Sequence, residues 1–334
     1  MLRETGSSRR FRLGSSMRVE DLPIPEQVKR VLLTNGIAEL YPPQEEAFRK
    51  TGVLEGRNLL MASPTASGKT LVAEVCALKH IVESGGKVLY MTPLKALASE
   101  KYARFKSYEE VKRADGSHVR VTISTGDYDS DDPWLGRYDL IVSTYEKFDS
   151  LLRHGAPWVG DLTLLVVDEV HYLGHGDRGP TLEVVLTRFR RVNPRGQIIA
   201  LSATVRNVEE LAEWLEADHV STDWRPVRLR EGVYLDGAVR FSDGTVVEVE
   251  DCGDPISSLV HDTVVKGAQA LVFTSTRRSS VSLARRLLKT VDKLLDKRAR
   301  RVLEKASTRI MDEADRTRLG ERLAKLLKHG VAFH

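Results

Sequence analysis

Cysteine is scarce in this sequence, and long apolar runs are absent from it. The chain of 334 residues has two cysteines, Cys76 and Cys252, which lie far apart and form no C-x-x-C pair. This pattern argues against a disulfide framework and favours a reducing, cytoplasmic setting. No apolar run approaches the ~20 residues that a membrane-spanning helix requires, so we expect no membrane partner. The net charge of +4 is too small to identify a binding partner.

Histidine and basic residues give only weak signals. His171 and His175 are four residues apart, but without a third ligand nearby this spacing does not predict a zinc site. Between Arg285 and Lys328 there are fifteen Lys and Arg against seven Asp and Glu, which indicates either a solvated pair of amphipathic helices or a nucleic-acid surface. Residues 1–16 are rich in Arg and Ser, and we treat them as an extension or a disordered leader outside the fold.

The first two thirds of the chain alternate between short apolar runs and helix-like stretches. The runs that predict strands are 58–62, 87–92, 119–124, 140–143, 162–168 and 197–202. The stretches that predict helices include 69–83, 96–106, 145–152, 181–190 and 208–215. Buried strands separated by amphipathic helices predict an α/β fold, with a parallel sheet covered by helices on both faces.

The pattern changes around residues 217–226, where we place a domain boundary. Downstream, apolar and polar residues alternate around Ser242-Asp243-Gly244, which predicts a hairpin. The segment AQALVFTST, residues 268–276, predicts another buried strand, and a long charged helical region follows it.

The segment SPTASGKT, residues 63–70, predicts a phosphate-binding loop. It follows an apolar strand and precedes a helix, so its backbone N–H groups and the helix N-terminus can point at phosphates. Gly68 allows close approach, Lys69 supplies a positive charge, and the hydroxyl of Thr70 can reach Mg²⁺. Ser63 stands where the usual pattern has its first glycine, and Pro64 can preset the turn. We therefore predict that ATP binds to this loop, which comprises Ser63, Pro64, Thr65, Ala66, Ser67, Gly68, Lys69 and Thr70.

Two carboxylates follow the apolar run LTLLVV about one hundred residues later. Asp168 can hold Mg²⁺, and Glu169 can orient and deprotonate an attacking water. With Lys69 they form the predicted catalytic set. The alternative is that two acids cap a strand end at the surface, and the phosphate loop weighs against it.

A third element, YPPQ, lies upstream of the loop. The amide of Gln44 can pair with the N6/N7 edge of adenine, and Tyr41 offers a stacking face. A Pro-Pro turn needs no function, so the position ahead of the loop is what favours nucleotide binding.

Seven segments, in this order, resemble the motifs of superfamily-two DExH helicases. They are YPPQ (41–44), SPTASGKT (63–70), TPLKALASEK (92–101), STGDYD (124–129), STYEKFDSLLR (143–153), DEVH (168–171) and SAT (202–204). Flanking segments such as MRVEDLPIP and EWLEADHVSTDWRPVRLREGV are similar to the archaeal Hel-family repair helicases, relatives of the helicase part of polymerase theta. The resemblance runs from about residue 17 to residue 334.

The resemblance implies a domain plan and a function. It implies a RecA-like ATP-binding domain over residues 17–220, then a linker hairpin and an incomplete second RecA-like domain over residues 221–334. It further implies an ATP-dependent DNA helicase that moves 3′ to 5′ along single-stranded DNA in repair or replication-fork processing. ATP and Mg²⁺ would be its cofactors, and single-stranded or forked DNA its partner. We expect a monomer.

The resemblance also implies residue roles. The residues expected to contact DNA in the first domain are Thr92, Lys95, Thr125, Gly126 and Thr144. Lysine and helix N–H groups can hold a nucleic-acid phosphate, although the same residues could be ordinary N-caps and turns. The residues expected to couple hydrolysis to domain movement are His171, Ser202 and Thr204; a hydroxyl pair after a strand could also be a helix cap. Arg277 and Arg278 either contact nucleic acid or nucleotide, or begin an exposed helix.

The sequence ends at KHGVAFH, before the family's arginine finger, so we expect this chain to bind ATP–Mg²⁺, hydrolyse it slowly and unwind nothing. Three alternatives stay open. An RNA helicase would share the backbone-contacting motifs, and stimulation by RNA rather than DNA would reveal it. A non-catalytic nucleotide- or DNA-binding fragment would bind ATP without releasing phosphate. A translocase subunit would need partner domains of which the sequence gives no sign.

Overall fold

The computed structural model describes residues 17–126, 132–313 and 317–334. The chain divides into two compact units between Arg228 and Leu229, eight residues after the predicted domain end at residue 220. The predicted extension, residues 1–16, and the end of the segment STGDYD, residues 127–129, lie outside the described residues. Among the helices that are described, none is both long enough and apolar enough to cross a membrane.

The first unit is built on a seven-stranded parallel sheet. Its strands are β1 (Asn58–Ala62), β2 (Lys87–Thr92), β3 (Val121–Ser124), β4 (Leu140–Thr144), β5 (Leu162–Val167), β6 (Gln197–Ser202) and β7 (Ala217–Ser221). Their order is β3-β4-β2-β5-β6-β1-β7, and every pair is parallel. Because all strands run in one direction, their carboxyl ends lie along one edge of the sheet.

Helices cover both faces of this sheet. They are α1 (Glu26–Thr34), α2 (Pro42–Lys50), α3 (Lys69–Ser84), α4 (Lys95–Phe105), α5 (Tyr145–Arg153), α6 (Gly179–Val192) and α7 (Val208–Leu215). Successive strand residues point to opposite faces: Leu59 and Met61 join one buried cluster with α1 to α4. Leu60 and Ala62 join a second cluster with α5, α6 and α7. The predicted parallel α/β fold is confirmed.

Strand β7 was not predicted. Its sequence, ADHVS, buries only Val220 because β7 is an edge strand that pairs with β1 alone. An edge strand with one buried side chain produces no apolar run, so the composition change at 217–226 looked like a linker.

The second unit combines a small antiparallel sheet with four helices in its described residues. Strands β8 (Gly232–Leu235), β9 (Ala238–Phe241) and β10 (Val246–Glu248) pair in the order β10-β9-β8. Gly244, at a φ of 82°, and the Asp243 carboxylate, which accepts the Thr245 N–H at 3.0 Å, form the turn of the predicted hairpin. The helices are α8 (Pro255–Val265), α9 (Arg277–Asp292), α10 (Lys297–Glu313) and α11 (Arg318–Leu327).

The predicted buried strand at 268–276 is wrong. These residues belong to no strand, and Leu271 and Phe273 are 81% and 88% exposed. A buried strand needs hydrogen-bonded neighbours, and the only sheet described in this unit is the antiparallel β8–β10 sheet. The incomplete second RecA-like domain therefore stays a prediction.

Candidate nucleotide and nucleic-acid site

The predicted phosphate loop connects the carboxyl end of β1 to the first turn of α3. Ser63 and Ser67 are fully buried, and their hydroxyl oxygens are 2.7 Å apart, so each satisfies the other across the loop. Ala66 and Gly68 have φ values of 68° and 85°. This left-handed backbone is costly for alanine and free of cost for glycine, and it turns the loop into the helix. Ser63 thus replaces a glycine by pairing its side chain internally.

Lys69 begins α3, and its ammonium lies over the loop. Nζ donates to the carbonyl oxygens of Ser63 at 2.6 Å and Pro64 at 3.2 Å. Burial lowers the pKa of Lys69, while the nearby carboxylates of Glu169 and Asp168 oppose that shift. The ammonium can exchange two carbonyl partners for phosphate oxygens without leaving the loop.

Asp168 and Glu169 directly follow β5, two strands from β1. The Asp168 carboxylate is buried and held at both oxygens: Oδ2 accepts from the Tyr90 hydroxyl at 2.8 Å, and Oδ1 from the Glu169 N–H at 3.1 Å. Tyr145 donates its hydroxyl to the Asp168 carbonyl oxygen. Burial and Asp168 together raise the pKa of Tyr90 well above its ordinary value, so Tyr90 stays a donor.

Thr70 and Asp168 converge on one positive charge. Nζ of Lys101 donates to Thr70 Oγ1 at 3.0 Å and lies 3.5 Å from Asp168 Oδ2. Hydroxyl and carboxylate oxygens are the hard donors that Mg²⁺ prefers, and the ammonium occupies a cation position between them. The two predicted metal ligands therefore fit Mg²⁺, which when bound would neutralise charge on phosphate oxygens. Sequence reasoning did not identify Lys101, because its approach to Asp168 depends on the pairing of β2 with β5.

Tyr41 and Gln44 lie at the start of α2, against the loop. Gln44 is buried; its Oε1 accepts the Tyr41 N–H at 2.7 Å, and its Nε2 donates to the Gly68 carbonyl at 2.9 Å. The amide therefore ties α2 to the phosphate loop, and adenine pairing by Gln44 stays a prediction. Tyr41 is partly exposed, and its ring lies 5.0 Å from the ring of Trp224. Trp224 lies in the flanking segment EWLEADHVSTDWRPVRLREGV, but no role was predicted for it.

These residues border a cavity of about 840 Å³. Of the predicted ATP-site residues, those lining it are Tyr41, Gln44, Thr65, Ala66, Gly68, Lys69, Thr70, Asp168 and Glu169. Ser63 and Ser67, which belong to the same loop, are buried and do not line the cavity. The volume suits a nucleotide-sized ligand.

The predicted DNA contacts follow three neighbouring strands, β3, β4 and β2. Thr92 and Thr144 end β2 and β4, but both are buried. The Thr92 hydroxyl donates to the Leu94 carbonyl at 3.1 Å, and the Thr144 hydroxyl caps α5 by accepting the Lys147 N–H at 3.3 Å. The Thr144 side chain thus serves as an N-cap and the Thr92 side chain closes a local turn, which leaves backbone groups for any nucleic-acid contact.

The more accessible predicted contacts are Lys95, Thr125 and Gly126. Lys95 is exposed and is the first residue of α4. Thr125 and Gly126 directly follow β3, and Gly126 is exposed. Cationic and backbone donors at a helix start suit a phosphate group.

Of the predicted coupling residues, Ser202 contacts the phosphate loop and His171 contacts the acid pair. The Ser202 carbonyl, at the end of β6, accepts the Ser63 N–H at 3.2 Å, and its hydroxyl is buried without a hydrogen-bond partner among the described residues. His171 Nδ1 lies 3.4 Å from both the Ala203 N–H and Glu169 Oε2. Thr204 is exposed. His171 therefore lies between the acid pair and the SAT segment.

Arg277 and Arg278 belong to the second unit. Both are exposed in the first turn of α9, where the Thr276 hydroxyl accepts the Ser279 N–H at 3.0 Å as an N-cap. Both alternatives for these arginines stay open.

The sequence model of the DEAD/DEAH box helicases matches residues 41–211, which span the phosphate loop, the acid pair and SAT. The chain belongs to the DEAD/DEAH box helicase family. The matched residues include every residue predicted to bind ATP.

Curated relatives match nearly the whole chain. Over 95% of its length it is 52% identical to the ATP-dependent DNA helicase Hel308 of Thermococcus kodakarensis and 49% identical to that of Pyrococcus abyssi. The match covers 27% and 42% of those proteins, so the chain spans less than half of the relatives' length. Among solved structures, the DUF1998 helicase MrfA has a TM-score of 0.65 at 24% identity, covering 88% of this chain and 45% of that protein. This last likeness concerns the fold alone.

Proposed function

We propose that this chain is the nucleotide-binding motor part of an ATP-dependent DNA helicase that moves 3′ to 5′ along single-stranded or forked DNA during repair or replication-fork processing. The observation that carries the proposal is topological. The phosphate loop follows β1, the acid pair follows β5, and the predicted DNA contacts follow β2, β3 and β4, all at the carboxyl edge of one sheet. The names of the Hel308 relatives support ATP and DNA as the ligands.

The chain's own residues suit phosphoryl transfer to water. Lys69 and the N–H groups of the loop would hold the β- and γ-phosphates, and Thr70 and Asp168 would hold Mg²⁺. Glu169 would accept a proton from the attacking water, because its carboxylate lines the same cavity. His171 contacts both Glu169 and the segment after β6, so it would report the state of the acid pair to Ser202 and Thr204.

On the nucleic-acid side, Lys95 would contact a phosphate through its charge, and Thr92, Thr125, Gly126 and Thr144 through their backbone. Phosphate contacts position a strand without reading its sequence, which suits a motor that moves along DNA. We expect a cytoplasmic monomer; the two free cysteines agree with a reducing setting.

Phosphate release by this chain, with and without single-stranded DNA or RNA of the same sequence, tests the proposal. We expect this release to be slow, to be stimulated more by DNA than by RNA, and to be abolished by Lys69→Ala. The matched control is Lys79→Ala, on the same helix but paired with Glu83 at 2.6 Å, which should retain the activity.

Stronger stimulation by RNA would contradict the DNA assignment. Tight ATP binding without release in the unmodified chain would instead favour a non-catalytic nucleotide-binding fragment.

A further inference from the structure

We infer that Lys101 is a resident counter-cation that occupies the metal position of the nucleotide-free protein and competes with a divalent cation for Thr70 and Asp168. The identity of the ligand, a divalent cation bound with ATP, rests on the proposed function, whereas the contacts of Lys101 do not depend on it. No segment singled out for catalysis or nucleotide binding assigns a role to Lys101.

The contacts of Lys101 are those of a stand-in cation. Its Nζ lies between Thr70 Oγ1 at 3.0 Å and Asp168 Oδ2 at 3.5 Å, and 5.9 Å from the centre of the Tyr90 ring. Tyr90 donates to the same carboxylate oxygen. Asp168 Oδ2 thus has one neutral donor, the Tyr90 hydroxyl, and one ammonium, that of Lys101, around it.

Enclosure makes this contact stronger than a surface ion pair. The side chains of Lys101 and Asp168 are only 14% and 9% exposed. An ionised carboxylate buried to this degree needs a nearby positive charge. The other lysine of the site, Lys69, donates to two loop carbonyls instead. Lys101 is therefore the cation that directly compensates Asp168 before a metal does.

The position of Lys101 on α4 connects two parts of the site. Lys101 lies six positions after Lys95, the predicted DNA contact at the start of the same helix. This step corresponds to about 9 Å along the helix axis. Occupation of the metal position requires the ammonium to leave Asp168, and Lys101 also lines the nucleotide cavity. When the ammonium leaves Asp168, it supplies a positive charge to the cavity, and the contact between α4 and the end of β5 is lost.

Binding of Mn²⁺, followed by electron paramagnetic resonance, tests this inference in two arms. One arm uses the metal alone, and the other adds a non-hydrolysable ATP analogue. We expect Lys101→Met to bind Mn²⁺ at least about threefold more tightly than the unmodified chain in both arms, because a competing charge has been removed. Lys101→Arg keeps a cation and should bind Mn²⁺ as the unmodified chain does.

The matched control is Lys106→Met. Lys106 follows the end of α4 and pairs with Glu109 at 3.0 Å, away from the cavity, so this variant should leave Mn²⁺ affinity unchanged. A cooperative thermal transition in each variant shows that the fold is retained.

Unchanged or weaker Mn²⁺ binding by Lys101→Met would overturn the inference, since Lys101 would then be a structural bridge or a metal-supporting group. If the unmodified chain fails to bind the analogue, the proposed function fails. The metal-alone arm still decides the role of Lys101 in that case.

Discussion

Glu169 combines a functional position with a strained backbone. Its φ of 57° lies in the left-handed region, which costs a non-glycine residue on the order of 1 kcal/mol. The Tyr145 hydroxyl, which contacts the carbonyl oxygens of both Asp168 and Glu169, helps to hold this conformation. Backbone strain at Glu169, whose carboxylate lies beside His171, agrees with a catalytic role for this residue.

We expect Glu169→Gln to reduce phosphate release at least about a hundredfold while leaving affinity for an ATP analogue within twofold, because only the proton acceptor is lost. Single-turnover phosphate release and analogue binding measure the two effects. Glu183→Gln, on the exposed side of α6, is the control. Equal loss of binding and release would argue for a structural role instead.

Glu74, on α3, is a buried carboxylate that pairs with the half-exposed Arg104 on α4. The Glu74 side chain is fully buried; Arg104 Nη2 donates to Oε2 at 2.8 Å, and Nε lies 2.6 Å from Oε1 without a well-directed hydrogen bond. Burial raises the pKa of Glu74, and Arg104 opposes the rise. We expect Arg104→Met to lower the free energy of unfolding by roughly 2 kcal/mol, because the buried Glu74 carboxylate loses its ion-pair partner, while solvent already screens the half-exposed guanidinium.

The pH dependence follows from the sign of that shift. A raised carboxyl pKa gives stability that is fully present below the ordinary value of 4.5 and lost as the pH rises through the folded-state pKa. The defect of Arg104→Met should therefore shrink as the pH falls, and Glu74→Gln should largely remove it. Urea denaturation of the single and double variants at several pH values measures both; a defect independent of pH would contradict this account.

At the scale of elements, α4 begins three residues after the end of β2 and joins the proposed DNA contact to the nucleotide cavity. Lys95 begins the helix, and Lys101 and Arg104 line the nucleotide cavity from its later turns. If DNA binds at Lys95 as proposed, this helix can transmit a displacement between the DNA and the nucleotide cavity.

We expect Lys95→Ala to weaken binding of single-stranded DNA about threefold or more, since one phosphate contact is lost. The slope of log affinity against log salt concentration should become shallower by about 0.7. Affinity for an ATP analogue should not change. Fluorescence anisotropy at several salt concentrations measures this, with Lys106→Ala as the control. An unchanged salt slope would remove Lys95 from the DNA interface.

At the scale of the whole molecule, the nucleotide cavity lies within the first unit. Trp224, which follows strand β7, contacts the lining residue Tyr41. The first unit, which ends at Arg228, contains both Trp224 and the sheet. The predicted domain, which ends at residue 220, would leave Trp224 out.

A fragment of residues 17–228 should therefore bind an ATP analogue within about twofold of the full chain, and a fragment of residues 17–220 more weakly. Loss of the Trp224 ring from Tyr41 removes an aromatic contact of about 1 kcal/mol, or roughly fivefold. Trp224→Ala in the longer fragment should reproduce that loss. Equal affinity of both fragments would show that Trp224 does not contribute.

Local patterns predicted the parts of the fold that depend on neighbouring residues in the chain. The phosphate loop needs only a strand, a glycine-containing turn and a helix, so residues 63–70 were identified directly. Lys101 reaches the site because β2 pairs with β5, and Trp224 because β7 returns to pair with β1. No local sequence pattern contains this strand order. The error at 268–276 has the same origin, because an apolar run becomes a strand only where neighbours exist to accept its hydrogen bonds.

The contact between Gln44 and Gly68 has an evolutionary consequence. A Cβ atom at Gly68 would overlap the Gln44 amide, and the left-handed backbone there disfavours any side chain. Selection on packing alone would thus preserve this glycine wherever the glutamine is kept. In a descendant that had lost ATP hydrolysis, Gly68 would persist while Lys69 and Glu169 were free to drift, so the glycine by itself is poor evidence of an active motor.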